Sequence, residues 1–190
     1  MNKNSDYAIA LKVRKVSVGE VMDDGCSKFY GNPTLPEKLL NKYPENYFFF
    51  LQIKCEDLKG LDSENRLPHK GYLYFFIDTF DLTISVDYAL EEPKYLVDDF
   101  NVMEEFGNEL TTAYVIEFEV VDKYYTGTKL LGYPSNYVDE YDDKMGMLLQ
   151  YDPLDFDVSF LNTCDGYAFV FFGKTEKTKF KKATFEVVCS

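Results

Sequence analysis

Residues 71–76 read Gly-Tyr-Leu-Tyr-Phe-Phe, and residues 166–172 read Gly-Tyr-Ala-Phe-Val-Phe-Phe. Each aromatic stretch follows a shorter apolar segment that carries a glutamine, Leu51-Gln52-Ile53 before the first and Leu149-Gln150-Tyr151 before the second. Aromatic and branched side chains pack well on a pleated surface, so these segments predict buried β-strands. Because the segments recur in the same order, the chain is predicted to contain two similar repeats.

The spacing between matched positions decreases along the chain. Ala8 and Ala113 are 105 residues apart, whereas Gly71 and Gly166 are 95 residues apart. Small deletions in one copy would produce such a drift. Two copies are too few for a solenoid, so the repeats predict a pseudo-two-fold domain.

The predicted boundaries are residues 7–88 for repeat one, 89–111 for a connector and 112–190 for repeat two. No low-complexity linker separates the repeats, so residues 1–190 are expected to form a single compact domain. The pattern contains about eight strands and few helices. It therefore predicts a β-rich α+β fold, mostly antiparallel sheet with a few short helices.

Two segments have the signals of short helices. Residues 36–40 begin with a proline, which is tolerated at the first position of a helix. Tyr95, Phe100, Met103 and Phe106 recur at roughly helical spacing, which favours an amphipathic helix in the connector.

The charge balance bears on the class of partner. The chain has 20 basic and 33 acidic residues, a formal net charge of −13. A phosphate backbone would be repelled, so nucleic acid is not expected as a partner. The charge favours solubility or, as a sharper hypothesis, an acidic face that binds a basic protein.

The cellular location follows from segments that the chain lacks. There is no apolar run of about 18 residues and no apolar signal core near the start, so neither membrane insertion nor secretion is expected. The four cysteines are far apart in sequence and are interpreted as reduced thiols of a cytoplasmic protein. No Cys-x-x-Cys pair is present, so no metal site is predicted.

No catalytic motif is recognisable, so no catalytic residue and no cofactor is predicted and enzymatic activity is left uncertain. His69 is the only histidine and is expected to be a solvated loop residue. No Gly-x-Ser-x-Gly elbow, phosphate-binding loop or dinucleotide-binding glycine pattern accompanies it.

Five polar residues are candidates for either a ligand site or a structural role. Gln52 and Gln150 lie inside apolar strands, where a buried amide needs hydrogen-bond partners. The carboxylates of Asp78, Asp152 and Asp165 lie close to strand ends. If the repeats enclose a cleft, these groups predict a small-ligand binding site or a hydrolase active site in it. The sequence does not predict the oligomeric state.

The favoured hypothesis is a non-enzymatic protein-binding module with an acidic, tyrosine-rich face. Tyrosine offers a large contact area with a polar tip and is enriched at interfaces. An immunity or antitoxin role is a specific version of this hypothesis, since toxins that act on nucleic acid are often basic. The candidate contact residues are Tyr133, Tyr137, Asp139, Glu140, Tyr141, Asp142 and Asp143.

Five segments follow one another in a fixed order: Phe29-Tyr30-Gly31-Asn32-Pro33, Phe50-Leu51-Gln52-Ile53, Lys129-Leu130-Leu131-Gly132-Tyr133-Pro134, Leu148-Leu149-Gln150-Tyr151-Asp152 and Asp165-Gly166. In these segments the chain resembles the YwqG-like family of bacterial domains of unknown function. The family's Trp-Gly-Asp-Gly-like turn is here Thr-Cys-Asp-Gly at residues 163–166, without the tryptophan. The resemblance implies a soluble bacterial α+β domain with no established activity, and relatives near toxin and immunity systems favour protein binding.

Overall fold

The structure is a computed structural model that describes residues 5–103, 109–135, 145–161, 166–173, 180 and 183–189. Strands account for 43% of the described residues and helical turns for 8%, and no helix among them reaches seven residues. The predicted α+β class is therefore wrong, because the chain folds almost entirely as antiparallel sheet.

Twelve strands are present in the described ranges. In chain order they are β1 (Tyr7–Lys15), β2 (Lys28–Phe29), β3 (Thr34–Leu35), β4 (Tyr47–Lys54), β5 (Tyr72–Asp78), β6 (Thr83–Ala89), β7 (Tyr95–Leu96), β8 (Tyr114–Asp122), β9 (Lys129–Leu130), β10 (Met145–Tyr151), β11 (Gly166–Gly173) and β12 (Thr184–Cys189). Single 3₁₀ turns occupy Glu37–Leu39, Cys55–Leu58, Glu109–Thr111 and Pro153–Asp155.

Ten strands form one sheet in the order β12-β11-β10-β9-β1-β8-β2-β4-β5-β6, and β3 pairs with β7 in a separate ribbon. The central strands β1 and β8 pair along their whole length, with Tyr7 opposite Asp122 and Lys15 opposite Tyr114. The edge strands β6 and β12 contact each other, so the sheet is nearly closed and barrel-like. Near-closure leaves few backbone groups unpaired at sheet edges.

The strand order is symmetric about the central β1–β8 pair. We call β1–β7 the first half and β8–β12 the second half. The opening strand of each half lies beside a strand of the other half, β1 beside β9 and β8 beside β2. Strands β4 and β10 each contain a register shift, at Phe49/Leu51 and at Met147/Leu149. The division into two repeats itself stays a prediction from the sequence.

The interior of the curled sheet combines aliphatic side chains with a group of contacting aromatic rings. Phe29 contacts Phe50 and Phe156 edge-on, with ring centroids 5.4 and 4.9 Å apart. Buried in the same cluster, the hydroxyls of Tyr30 and Tyr151 share a hydrogen bond of 2.8 Å. Burial raises the pKa of both phenols, so they stay neutral.

The segments expected to be helical are mostly turns and strand. After Pro36 only one 3₁₀ turn forms, at Glu37–Leu39. In the connector, Tyr95 pairs with Leu35 in the ribbon, and Asp99 has a φ of +58°, which a right-handed helix cannot contain. Phe106 lies outside the described residues. Pairing with a distant strand therefore replaces the helix that the local spacing favoured.

Among the described residues, the structure contains no helix that is long and apolar enough to cross a membrane.

Candidate functional site

The Gln52 amide, fully buried in β4, bonds only to backbone groups of neighbouring loops. Its Nε2 donates to the carbonyl oxygens of Cys26 at 3.0 Å and Asp24 at 3.4 Å. Its Oε1 accepts from the backbone N–H of Thr34 at 3.3 Å. The side chain thus holds the segment before β2 and the segment after it against β4.

The Gln150 amide has the same arrangement in β10. Its Nε2 donates to the carbonyl oxygens of Thr126 at 2.8 Å and Gly127 at 3.1 Å, and its Oε1 accepts from Ser135 N–H at 2.8 Å. Four strands, β9, β1, β8 and β2, lie between β10 and β4 in the sheet. The two amides are therefore separate features, each within its own half.

Each glutamine lies opposite a buried lysine. Gln52 pairs with Lys28 across β4 and β2, and Gln150 pairs with Lys129 across β10 and β9. Lysine is almost never fully buried unless it is paired. Yet Lys28 is 2% exposed and Lys129 is 0% exposed. The groups around each ammonium therefore decide how the burial of its charge is compensated.

The Lys129 ammonium is enclosed by backbone carbonyls. Its Nζ donates to Tyr133 O at 2.7 Å, to Lys123 O at 3.4 Å and to Tyr125 O. Burial lowers the pKa of Lys129 to about 8, and the charge of Asp122 opposes this shift. The group is still mostly protonated at neutral pH, and all three of its protons have acceptors.

The Lys28 ammonium has no such enclosure. None of the described residues accepts a hydrogen bond from it or forms an ion pair with it. It lines a pocket of about 360 Å³. Burial lowers the pKa of Lys28, and the charge of Asp24 opposes the shift only in part. A buried cation without an acceptor is costly to keep in a folded chain.

Loop length explains the difference between the two lysines. The connector between β8 and β9 is residues 123–128, six residues, and it supplies two of the three carbonyls around Lys129. The corresponding connector between β1 and β2 is residues 16–27, twelve residues. The longer loop lines a cavity beside Lys28 instead of closing over it.

The pocket beside Lys28 has an apolar wall and an acidic outer part. Its apolar lining residues are Val16, Val18, Met22 and Leu96. Asp23 and Asp24 also line it and are exposed, whereas Lys28 is buried. Such a cavity has the size and the mixed lining of small-molecule sites, which span roughly 300–1,000 Å³.

The two described aspartates among the candidates act as local caps. Asp78 Oδ1 accepts from Phe80 N–H at 2.9 Å. Burial tends to raise the pKa of the Asp78 carboxyl, but this hydrogen bond and others outweigh burial, so the pKa is lowered. Asp152 Oδ1 accepts from Leu154 N–H at 3.0 Å, and burial raises its pKa. Asp165 lies outside the described residues.

Most of the predicted partner-binding residues also lie outside the described ranges. These are Tyr137, Asp139, Glu140, Tyr141, Asp142 and Asp143. The remaining one, Tyr133, lies with its ring centroid 5.3 Å from that of Tyr124, and the Lys123 ammonium lies over both rings. The acidic, tyrosine-rich binding face therefore stays a prediction.

His69 belongs to a partly buried cluster that the sequence did not reveal. Its Nε2 lies 3.1 Å from Asp62 Oδ2, and its side chain is 23% exposed. The buried Asp62 carboxylate also accepts from Leu67 N–H and from the Tyr7 hydroxyl. These bonds tie β1 to the loop before β5, which is a structural use of the histidine.

The lysine of the pocket was missed by sequence reasoning, although a signal for it exists. A lysine stands three residues before the glycine of each Gly-x-Pro turn, Lys28 before Gly31 and Lys129 before Gly132. A charged residue at matched positions of two apolar repeats is unusual, since strand cores are rarely charged. Only the structure shows that one lysine is enclosed and the other faces a cavity.

Comparison with known families gives a match. Residues 27–103 match a family described as a domain of unknown function, DUF1963. The matched region contains Lys28 and Gln52 and runs from β2 through β7, so it covers less than half of the chain. Comparison with curated proteins finds no match. The chain is therefore similar to a family without an assigned activity, and a function has to be argued from the pocket.

Proposed function

We propose that the protein binds a small anion-bearing ligand in the pocket beside Lys28. The observation that carries the proposal is Lys28: the residue is 2% exposed and lines a cavity, and its ammonium has no acceptor among the described residues. A ligand carboxylate or phosphate oxygen would supply the missing acceptors, as the carbonyls do for Lys129. Hydrogen bonds to charged groups contribute about 1.5–3 kcal/mol each, enough to orient a small ligand.

The position of the pocket also supports a binding role. Its lining comes from the β1–β2 loop, from Leu96 in the middle segment and from Thr111 to Ala113 just before β8. Segments distant in sequence therefore meet around Lys28, and Ala113 O accepts from Val16 N–H at 3.0 Å to hold them together. A cavity between such segments is a common place for a ligand.

The proposal is tested by titrating the full chain with hexanoate, acetate and inorganic phosphate. Binding is followed by backbone amide NMR shifts and by the rise in Tm that ligand binding to the folded state produces. We expect saturable shifts confined to the pocket lining, including Ser17, Asn32 and Ala113, with hexanoate binding best because the pocket wall is apolar.

Two variants make the titration specific. Lys28→Met removes the ammonium and is expected to abolish the response to all three anions. Lys59→Met removes an exposed lysine that does not line the pocket and is expected to bind like the wild type. If none of the three anions gives a Lys28-dependent response, the proposed function is wrong.

We also propose the finer relationship to YwqG-like domains, with a bacterial source and a cytoplasmic location. The ordered segments shared with that family support the relationship. The free thiols support a reducing compartment: Cys26 is half-buried, and burial raises the pKa of the fully buried Cys55 to about 12, so the thiol stays protonated.

A further inference from the structure

The pocket beside Lys28 has unpaired charges of both signs. Asp23 and Asp24 line its exposed part, and neither carboxylate forms an ion pair with any residue in the described part of the chain. Asp23 Oδ1 accepts the N–H of Gly25, at 3.2 Å. Among the described residues no ion pair joins Lys28 to either aspartate, although the charge of Asp24 tends to raise the pKa of Lys28.

The net charge of the whole chain restricts the class of ligand further. A protein with a formal net charge of −13 repels small anions at long range. A purely anionic ligand would approach against this field and then pass two carboxylates on its way to Lys28. A ligand that also carries a positive charge avoids both penalties.

The apolar wall lies alongside the charged groups. Val16, Val18, Met22 and Leu96 offer methylene and methyl surface in the same cavity. Val18 is fully exposed, and Leu96 is 48% exposed, so this surface is available to a ligand. Burying this surface against a ligand contributes about 25 cal/mol of favourable binding free energy per Å² of apolar area.

We propose that the ligand is a zwitterion, with its carboxylate at Lys28, its ammonium at Asp23 and Asp24, and an apolar chain between them. This inference rests on the proposed function and specifies the ligand class of the same pocket. ω-Amino carboxylates, in which a methylene chain separates the two charged groups, belong to this class.

Three probes of the same chain length separate the two charges. Hexanoate carries only the carboxylate, hexylamine carries only the ammonium, and 6-aminohexanoate carries both. Their Kd values are measured with the wild type by NMR titration or calorimetry. We expect 6-aminohexanoate to bind at least about tenfold more tightly than hexanoate, and hexylamine to bind most weakly.

Variants assign each end of the ligand to its residue. In Asp23→Asn/Asp24→Asn, 6-aminohexanoate should bind no more tightly than hexanoate, while hexanoate binds as well as before or better. Lys28→Met should lose both ligands. A control that removes two exposed carboxylates elsewhere, Asp81→Asn/Glu91→Gln, should keep the preference for 6-aminohexanoate.

The possible outcomes separate the two proposals. If hexanoate binds in a Lys28-dependent way but 6-aminohexanoate binds no better, the zwitterion inference is wrong and the proposed function stands. If the preference for 6-aminohexanoate survives in Asp23→Asn/Asp24→Asn, the assignment of the ammonium is wrong. If neither compound binds, both proposals fail. Chromatography and far-UV circular dichroism of each variant establish that it is folded.

Discussion

Lys28 and Lys129 occupy matched positions in the two halves and have opposite environments. Both are buried, and both lie opposite a buried glutamine. Three carbonyls accept the protons of Lys129, whereas Lys28 lines a cavity and has no acceptor in the described part of the chain. The same residue in the same strand register is thus structural in one half and available for binding in the other.

The comparison shows that loop length, not strand sequence, separates the two roles. Each half keeps the glutamine and a glycine with positive φ, Gly31 at +70° and Gly132 at +76°. The shorter second connector reaches Lys129 with its carbonyls, and the longer first connector does not enclose Lys28. A buried group whose bonds are all made stabilises the fold, and one left unsatisfied is a candidate for ligand contact.

The largest expected effect comes from adding a methyl group at the matched glycines. A Cβ at residue 132 would lie 2.7 Å from Lys123 O and 2.9 Å from the Ala8 Cβ, and a Cβ at residue 31 would lie 2.8 Å from the Ala113 Cβ. Because of these close contacts and the positive φ, we expect Gly31→Ala and Gly132→Ala each to lower the unfolding free energy by about 3 kcal/mol. Urea denaturation measures this change.

A second substitution distinguishes the two glycines. Ala113→Gly removes the Cβ that crowds residue 31, so it should recover part of the loss in Gly31→Ala. Ala8→Gly leaves the Lys123 carbonyl in place, so it should recover less of the loss in Gly132→Ala. Equal recovery in both halves would contradict the contacts that a Cβ at each glycine would make.

The next largest expected effect is the change in unfolding free energy when each lysine is replaced by methionine. The change should have opposite signs in the two halves. Lys129→Met removes the three hydrogen bonds of the ammonium, although Lys123 O still accepts from Tyr133 N–H and Tyr125 O from the Ser135 hydroxyl. It should lower the unfolding free energy by about 2 kcal/mol, because each hydrogen bond contributes about 1 kcal/mol and relief of the desolvated charge offsets part of the loss. Lys28→Met loses no hydrogen bond and should raise the unfolding free energy by about 1 kcal/mol.

The same urea denaturation experiment measures both variants at neutral pH and without ligand. Lys59→Met serves as the exposed control and should differ little from the wild type. Destabilisation by Lys28→Met equal to that of Lys129→Met would mean that Lys28 also has internal acceptors, and the comparison of the two halves would fail.

The remaining expected effect is a pH dependence from Lys129. Burial lowers the pKa of Lys129 from its usual 10.5 to about 8, so between these values the unfolded chain binds more protons than the folded chain. The contribution of Lys129 to the unfolding free energy therefore rises with pH in that window, by at most about 1.4 kcal/mol per pH unit. Below about pH 8 both states are protonated and the contribution is constant.

The measurement compares the unfolding free energy of the wild type with that of Lys129→Met across the window. The difference should change in favour of the wild type as pH rises. A difference that stays flat or falls would show that the three carbonyls hold the ammonium charged well above pH 8.

The strands were predictable because their signals are local. The apolar runs of β4, β5, β10 and β11 are recognisable without knowledge of their partners, since aromatic and branched residues favour sheet. The polar candidates Gln52 and Gln150 were also singled out, because an amide inside an apolar run needs partners. Their actual partners, the carbonyls of the β1–β2 and β8–β9 connectors, were not predictable.

The fold class was predicted wrongly for a related reason. The spacing of Tyr95, Phe100 and Met103 fits a helix, but β7 pairs with β3, and pairing with a strand about sixty residues away has no local signal. Tertiary context commonly overrides such local preferences.

By itself, the sequence determined the buried strands, the pairing of similar segments and the positions where a polar side chain would need bonds, because strand burial and hydrogen-bond demand are properties of short segments. Only the tertiary structure decided that the first strand of each half lies beside a strand of the other, that Lys129 is enclosed and that Lys28 lines a pocket. Enclosure depends on how far a loop reaches over a neighbouring strand, which is a property of distant segments brought together.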